Sequence, residues 1–155
     1  MGKRPFIRKQ KRKRHGATFW DFEYTEGGHL KLSDKPGEDF LKFLRWLQRQ
    51  SGRELLNPTN SAVDFGCGNG RHLIHLAETY GMRGIGYDIS AAAIKIAKIA
   101  SEQFNLTYEA RSIAGTFPLE DASQILALDM MTSHFLSGNE RAMLRDEIFR
   151  VLKPG

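Results

Sequence analysis

The stretch Ser61-Ala62-Val63-Asp64-Phe65-Gly66-Cys67-Gly68-Asn69-Gly70-Arg71 decides how this chain folds. Ala62 to Phe65 is a short apolar run that reads as a buried strand. It ends in three closely spaced glycines, and a helical pattern starts at once with Leu73, Ile74, Leu76 and Ala77. Strand, glycine turn and helix together make a nucleotide-binding crevice. Glycine is needed there because a backbone that turns sharply against a ligand has no room for a Cβ. The first amides of the helix then face the ligand unpaired. A dinucleotide fingerprint would place its third glycine six positions from the first. Counting from Gly66, that position holds Arg71, and the third glycine, Gly70, comes one residue early.

The resulting Gly-x-Gly-x-Gly, with Asp64 two residues upstream, resembles motif I of the class I S-adenosylmethionine-dependent methyltransferases. Arg83-Gly84-Ile85-Gly86-Tyr87-Asp88-Ile89-Ser90 reads as a second strand ending in a carboxylate, and Asp88 lies 22 positions after Gly66. That is where nucleotide folds carry a ribose-binding acid. A carboxylate suits a diol because it accepts hydrogen bonds and donates none. Ser90 is a capping candidate for a helix over 91–103.

The resemblance implies an α/β, Rossmann-like doubly wound sheet and S-adenosylmethionine as cofactor. It places Gly66, Cys67, Gly68 and Gly70 around that cofactor. It further implies that Asp88 holds the ribose and that Ile89 lies against the adenine. By the same resemblance Asp64 is expected to orient the methionine end, directly or through water, and Arg71 is suited to pair with the methionine carboxylate. Ser112 and Ile113 stand at the adenine end, where the family often has an acid, so Ser112 is a departure. The fourth strand, 125–128, leads into Asp129-Met130-Met131-Thr132-Ser133-His134 at the same end of the sheet. Asp129 is accordingly placed with the cofactor and His134 on the substrate side as a candidate base. Many such enzymes fold an aromatic segment ahead of motif I over the cofactor, which makes Trp20 and Tyr24 candidates for a substrate-side wall. Pinning the N-terminal arm to the core explains the same aromatics equally well.

Outward from these motifs, Ser33-Asp34-Lys35-Pro36 predicts a helix start. Phe40, Phe43, Leu44 and Leu47 follow at helical spacing to about Gln50. The third strand is 106–110. A last helix runs from about Asn139 to Leu152, with Leu144, Ile148 and Val151 on its buried face. The strands expected are thus 3-2-1-4 of a family order 3-2-1-4-5-7-6. Strands 5–7 are missing, so the chain reads as truncated, with an apolar fourth strand as an edge prone to self-association.

Residues 1–16 form a separate basic arm, and 17–155 the cofactor-binding domain. The arm holds 8 of the 23 Lys and Arg residues and no acid, whereas the remainder has 15 basic and 18 acidic side chains. The basic balance therefore belongs to the arm, which either binds nucleic-acid phosphates or serves as a solvated tail. A single cysteine excludes an internal disulfide framework and fits a reducing, cytoplasmic setting. No run is apolar and long enough to span a membrane. His72 and His75 suggest no metal site for want of a third ligand, and read as surface residues. The function expected is methyl transfer to an unidentified acceptor. A non-catalytic cofactor- or nucleic-acid-binding module and a nicotinamide oxidoreductase are the alternatives.

Overall fold

A computed structural model describes residues 15–27 and 32–154. Residues 1–14 of the basic arm lie outside the described residues. The elements, in chain order, are α1 (Ala17–Glu26), α2 (Glu38–Ser51), β1 (Ser61–Phe65), α3 (Arg71–Tyr80), β2 (Arg83–Asp88), α4 (Ala91–Ala100), β3 (Leu106–Ala110), β4 (Leu126–Leu128) and α5 (Gly138–Val151). A short 3₁₀ turn, Ser133–Phe135, separates β4 from α5.

The strands form one parallel sheet in the order β3-β2-β1-β4, as expected. Parallel strands need crossovers, and α3 and α4 supply them for β1 to β2 and β2 to β3. Side chains alternate along a strand, so β1 feeds two cores. Ala62 packs with Leu44, Leu73, Leu76, Ile94 and Leu126 beneath α2, α3 and α4. Val63 and Phe65 pack on the other face with Tyr87, Phe117, Leu144 and Val151, beneath α5. Asp64 shares the parity of Ala62 and so enters the α3 side, where it is fully buried.

The second face is closed by a polar clamp. Glu147 accepts from the Phe117 amide at 2.9 Å. Arg150 pairs with Glu147 at 2.8 Å and Asp121 at 2.7 Å, and donates to the carbonyls of Phe117 and Leu119. The β3–β4 connector is thereby tied to α5, with Phe117 as its buried plug.

Boundaries moved where local caps outrank pattern. α2 starts at Glu38 behind Gly37, not at Ser33, because Ser33 Oγ is engaged in a local turn with the Lys35 amide, at 3.0 Å. α5 starts after Ser137, which forms a capping box with Glu140, so Asn139 is inside the helix rather than its cap. α4 ends at Ala100, three residues short of the expected Gln103, where Ser101 Oγ turns back onto the Ala97 carbonyl at 2.7 Å. α1 has no counterpart in the sequence-based reading. β4 is only three residues long and lies at one edge of the sheet, with β3 at the other, and just ahead of it Gln124 pairs with Leu152. No described helix is long and apolar enough to cross a membrane.

Candidate functional site

The carboxyl ends of β1, β2 and β4 and the inner face of α1 surround a cavity of about 430 Å3. At its floor the β1–β2 pairing extends into the glycine loop. The amides of Gly66 and Cys67 both donate to the Tyr87 carbonyl, at 2.7 and 3.0 Å. The chain then turns with positive φ at Gly66 (+86°) and Gly68 (+54°), a region costly for residues with a Cβ. Space forbids a side chain as well. A Cβ on Gly66 would strike the Thr132 side chain, and one on Gly68 would strike the Tyr24 hydroxyl.

Asp88 locks this loop to β2. One carboxylate oxygen accepts from the Gly68 amide at 2.9 Å, the other from the Ser90 amide at 2.8 Å. Each oxygen retains a second acceptor site, and Asp88 lines the cavity. Burial pushes its carboxyl up, and the two backbone amides oppose that shift.

Asp64 lies behind the loop and does not line the cavity. Both of its oxygens are buried without a hydrogen-bond partner. The nearest side chain across from it is His72, whose Nδ1 is 3.8 Å away, too long for a hydrogen bond. Burial pushes the Asp64 carboxyl up; His72 and Arg71 oppose it. His72 Nε2 accepts from the Gly37 amide at 3.3 Å, so the neutral ring carries its proton on Nδ1, facing Asp64. His72 is therefore buried and lines the cavity, not a surface residue as its sequence context suggested.

Of the other residues singled out from sequence, Trp20, Tyr24, Gly66, Cys67, Gly68, Arg71, Ile89, Ser112 and Ile113 line the same cavity. Cys67 is buried and its thiol is pushed well up by burial, with Asp64 and Asp88 adding to the shift, which suits a packing role. Arg71 donates to the Ser33 carbonyl at 3.2 Å. Gly70, Asp129 and His134 stand off the cavity wall. Gly70 is the N-cap of α3. The Asp129 carboxylate is taken up by the Thr132 and Ser133 amides, at 3.2 and 3.0 Å, and shapes the turn after β4. His134 is exposed, with its ring 4.0 Å from that of Phe135.

Sequence reasoning missed Asn69, Thr132, Met131 and Phe135 as wall residues. Phe135 packs edge-on against Trp20 at 5.3 Å, which joins the turn after β4 to α1. Met131 is 78% exposed and has φ +71°, an uncommon conformation for a residue with a side chain. The sequence signal for this turn was its place after the fourth strand, and the pattern did not say which side chains turn inward. Among the described residues, no group of three His, Cys, Asp or Glu side chains is placed to hold a metal ion.

The family model described as "Methyltransferase domain" matches residues 62–155. A methyltransferase of Geobacter sulfurreducens, solved with S-adenosyl-L-homocysteine, is 23% identical over 86% of this chain, with a TM-score of 0.64. One from Thiobacillus denitrificans, with the same ligand, is 22% identical over 86% of this chain, with a TM-score of 0.62. The geranyl diphosphate C-methyltransferase of Streptomyces coelicolor is 19% identical over 90%, with a TM-score of 0.62. The chain spans 51%, 51% and 60% of the lengths of these three proteins. No curated protein sequence matches it.

An uncompensated buried carboxylate weakens the fold that holds it. Because burial raises the Asp64 pKa, the penalty is fully present above that raised value and disappears as pH falls and the group protonates. Asp64→Asn should therefore be more stable than the parent near neutral pH, by about 1–3 kcal/mol. The gain should shrink as pH is lowered. Urea unfolding of both proteins across that range measures it; equal stability at neutral pH would show the charge to be compensated in solution.

Proposed function

The chain belongs to the methyltransferase domain family, and on that premise we propose that it binds S-adenosylmethionine in this cavity and transfers its methyl group to an acceptor. The observation that carries the reading is Asp88, held by the Gly68 and Ser90 amides beside a glycine loop with no room for side chains. Two hydroxyls on adjacent carbons match a carboxylate whose two oxygens are each fixed and each have one acceptor site left. The carboxylate of Asp64, sealed behind the glycine loop, would act on the same ligand through its negative charge rather than by contact. The family and the S-adenosyl-L-homocysteine-bound structures of like fold support this cofactor.

When bound, S-adenosylmethionine supplies an electrophilic methyl carbon on a positively charged sulfur. The chain's part is to hold and to exclude. Asp88 would hold the ribose, Ile89 and Ile113 the adenine faces, with Ser112 at the adenine edge. Arg71 and the first amides of α3 provide a favourable field for the methionine carboxylate. Trp20, Phe135 and Met131 line the far side of the cavity with apolar surface. Such a wall keeps water from the transfer path and presents aromatic faces to cationic charge. Methyl transfer needs alignment above all, and a base only where the acceptor carries a proton. His134, exposed beside Phe135, reaches an acceptor only if the latter extends out of the cavity.

The reading extends to associations that the sequence suggested. The arm would bind nucleic-acid phosphates, and the β4 edge would pair with another copy. A single buried, unpaired cysteine supports a reducing, cytoplasmic setting.

Asp88→Ala should weaken S-adenosylmethionine binding by about 1.5–3 kcal/mol, the scale of hydrogen bonds to a charged group. Isothermal calorimetry on the folded variant measures this, and unchanged affinity would remove the ribose assignment. Deleting residues 1–14 should abolish RNA binding that, in the intact chain, weakens steeply with salt. Absence of a gel shift by the intact chain at low salt would leave the arm a solvated tail.

A further inference from the structure

α1 has no amphipathic period, and its half-buried Trp20 and Tyr24 face the cavity rather than a packed core. It presents no apolar stripe to the core; its one buried residue is Glu23. Helices of this length gain most of their stability from packing an apolar face, so another interaction must place it. Asp21 provides one. A single oxygen of its carboxylate accepts from the Ser90 hydroxyl at 2.6 Å and from the Ala92 amide at 3.0 Å. Both donors belong to the start of α4. Ser90 is the N-cap of that helix, with its own oxygen accepting from the Ala93 amide at 3.1 Å. Asp21 therefore satisfies an unpaired α4 amide that Ser90 does not reach, and places a negative charge at the positive end of the helix.

We propose that Asp21 is a positioning residue that latches the α1 wall, with Trp20 and Tyr24, onto the N-terminus of α4 above the glycine loop. The latch and the ribose acid share one short step of chain. Ser90 donates its amide to Asp88 and its hydroxyl to Asp21. On the same helix as Asp21, Tyr24 rests its hydroxyl on Gly68, and Trp20 packs on Phe135. Releasing Asp21 frees both side chains from the cavity while leaving Asp88 in place. The Ser90 and Ala92 hydrogen bonds hold the Asp21 carboxyl below its ordinary range, so the latch is charged at neutral pH. The effect on the cofactor rests on the function proposed above; the latch itself does not.

The test compares the full chain with Asp21→Ala and Asp21→Asn, because asparagine retains an acceptor oxygen for both donors. In the ligand-free proteins, hydrogen exchange of amides 17–26 should be about tenfold faster in Asp21→Ala, the scale of a lost helix cap. Amides of β1 and β2 should be unchanged, and Asp21→Asn should restore most of the protection. Stopped-flow binding of S-adenosylhomocysteine should show about tenfold faster dissociation from Asp21→Ala, with rescue by Asp21→Asn. Unchanged exchange of α1 in Asp21→Ala would overturn the latch. Faster exchange with unchanged S-adenosylhomocysteine kinetics would overturn its role in positioning the wall. Failure of the parent chain to bind S-adenosylhomocysteine would instead remove the proposed function, and exchange would still decide the latch. Should Asp21→Ala not fold, Ser90→Ala breaks the 2.6 Å bond from the other side and is read by the same exchange of α1.

Discussion

The Tyr87 carbonyl at the end of β2 accepts from two consecutive amides, those of Gly66 and Cys67, and the next residue, Asp88, accepts from Gly68. These contacts bind a loop that would otherwise be free to a strand that is buried on both faces. They require positive φ at Gly66 and Gly68 and leave no space for a Cβ at either. Everything around the cavity depends on that geometry. Thr132 and Tyr24 approach the loop from opposite elements only because glycine leaves the space, and Asp64 is sealed beneath it at 0% exposure.

The parts of the molecule legible in the sequence are those governed by short-range pattern. β1, the glycine loop and α3 follow from an apolar run, three glycines and a 3.6-residue period, and β2 with Asp88 follows from the same logic. The strand order agrees with the family resemblance. Features set by tertiary contact were not legible. α1 has no amphipathic period, and its position is decided by Asp21 reaching residues 69 and 71 positions away. His72 sits one residue into a helix whose other histidine is only half-buried, and nothing local marks it as the one beneath Gly37. Asp129 resembled a site acid because it ends a strand. The turn that follows consumes its carboxylate, a competition between side chain and backbone that a motif does not reveal.

The arrangement also explains how one crevice combines rigidity with access. The floor is tied to the sheet, and the clamp of Glu147 and Arg150 fixes the opposite face. The wall made by α1 is held by polar contacts at its α4 end and by aromatic edges against Phe135. Polar attachments of this kind open at lower cost than a packed core, which suits an element that must admit a ligand. Asp64 shows the other side of the compromise. Its buried, unsatisfied carboxylate is a liability to the fold.

On the function proposed above, the loop 66–71, Asp88 and α1 form one site for S-adenosylmethionine. Amide-resolved NMR of the labelled chain, titrated separately with S-adenosylmethionine and with NAD, tests it most directly. S-adenosylmethionine should shift the amides of Gly66, Gly68, Ile89 and Ser90 together with those of 17–26, and NAD should leave them unmoved. The same amides responding to NAD, or no response of the glycine loop to S-adenosylmethionine at saturating concentration, would contradict it.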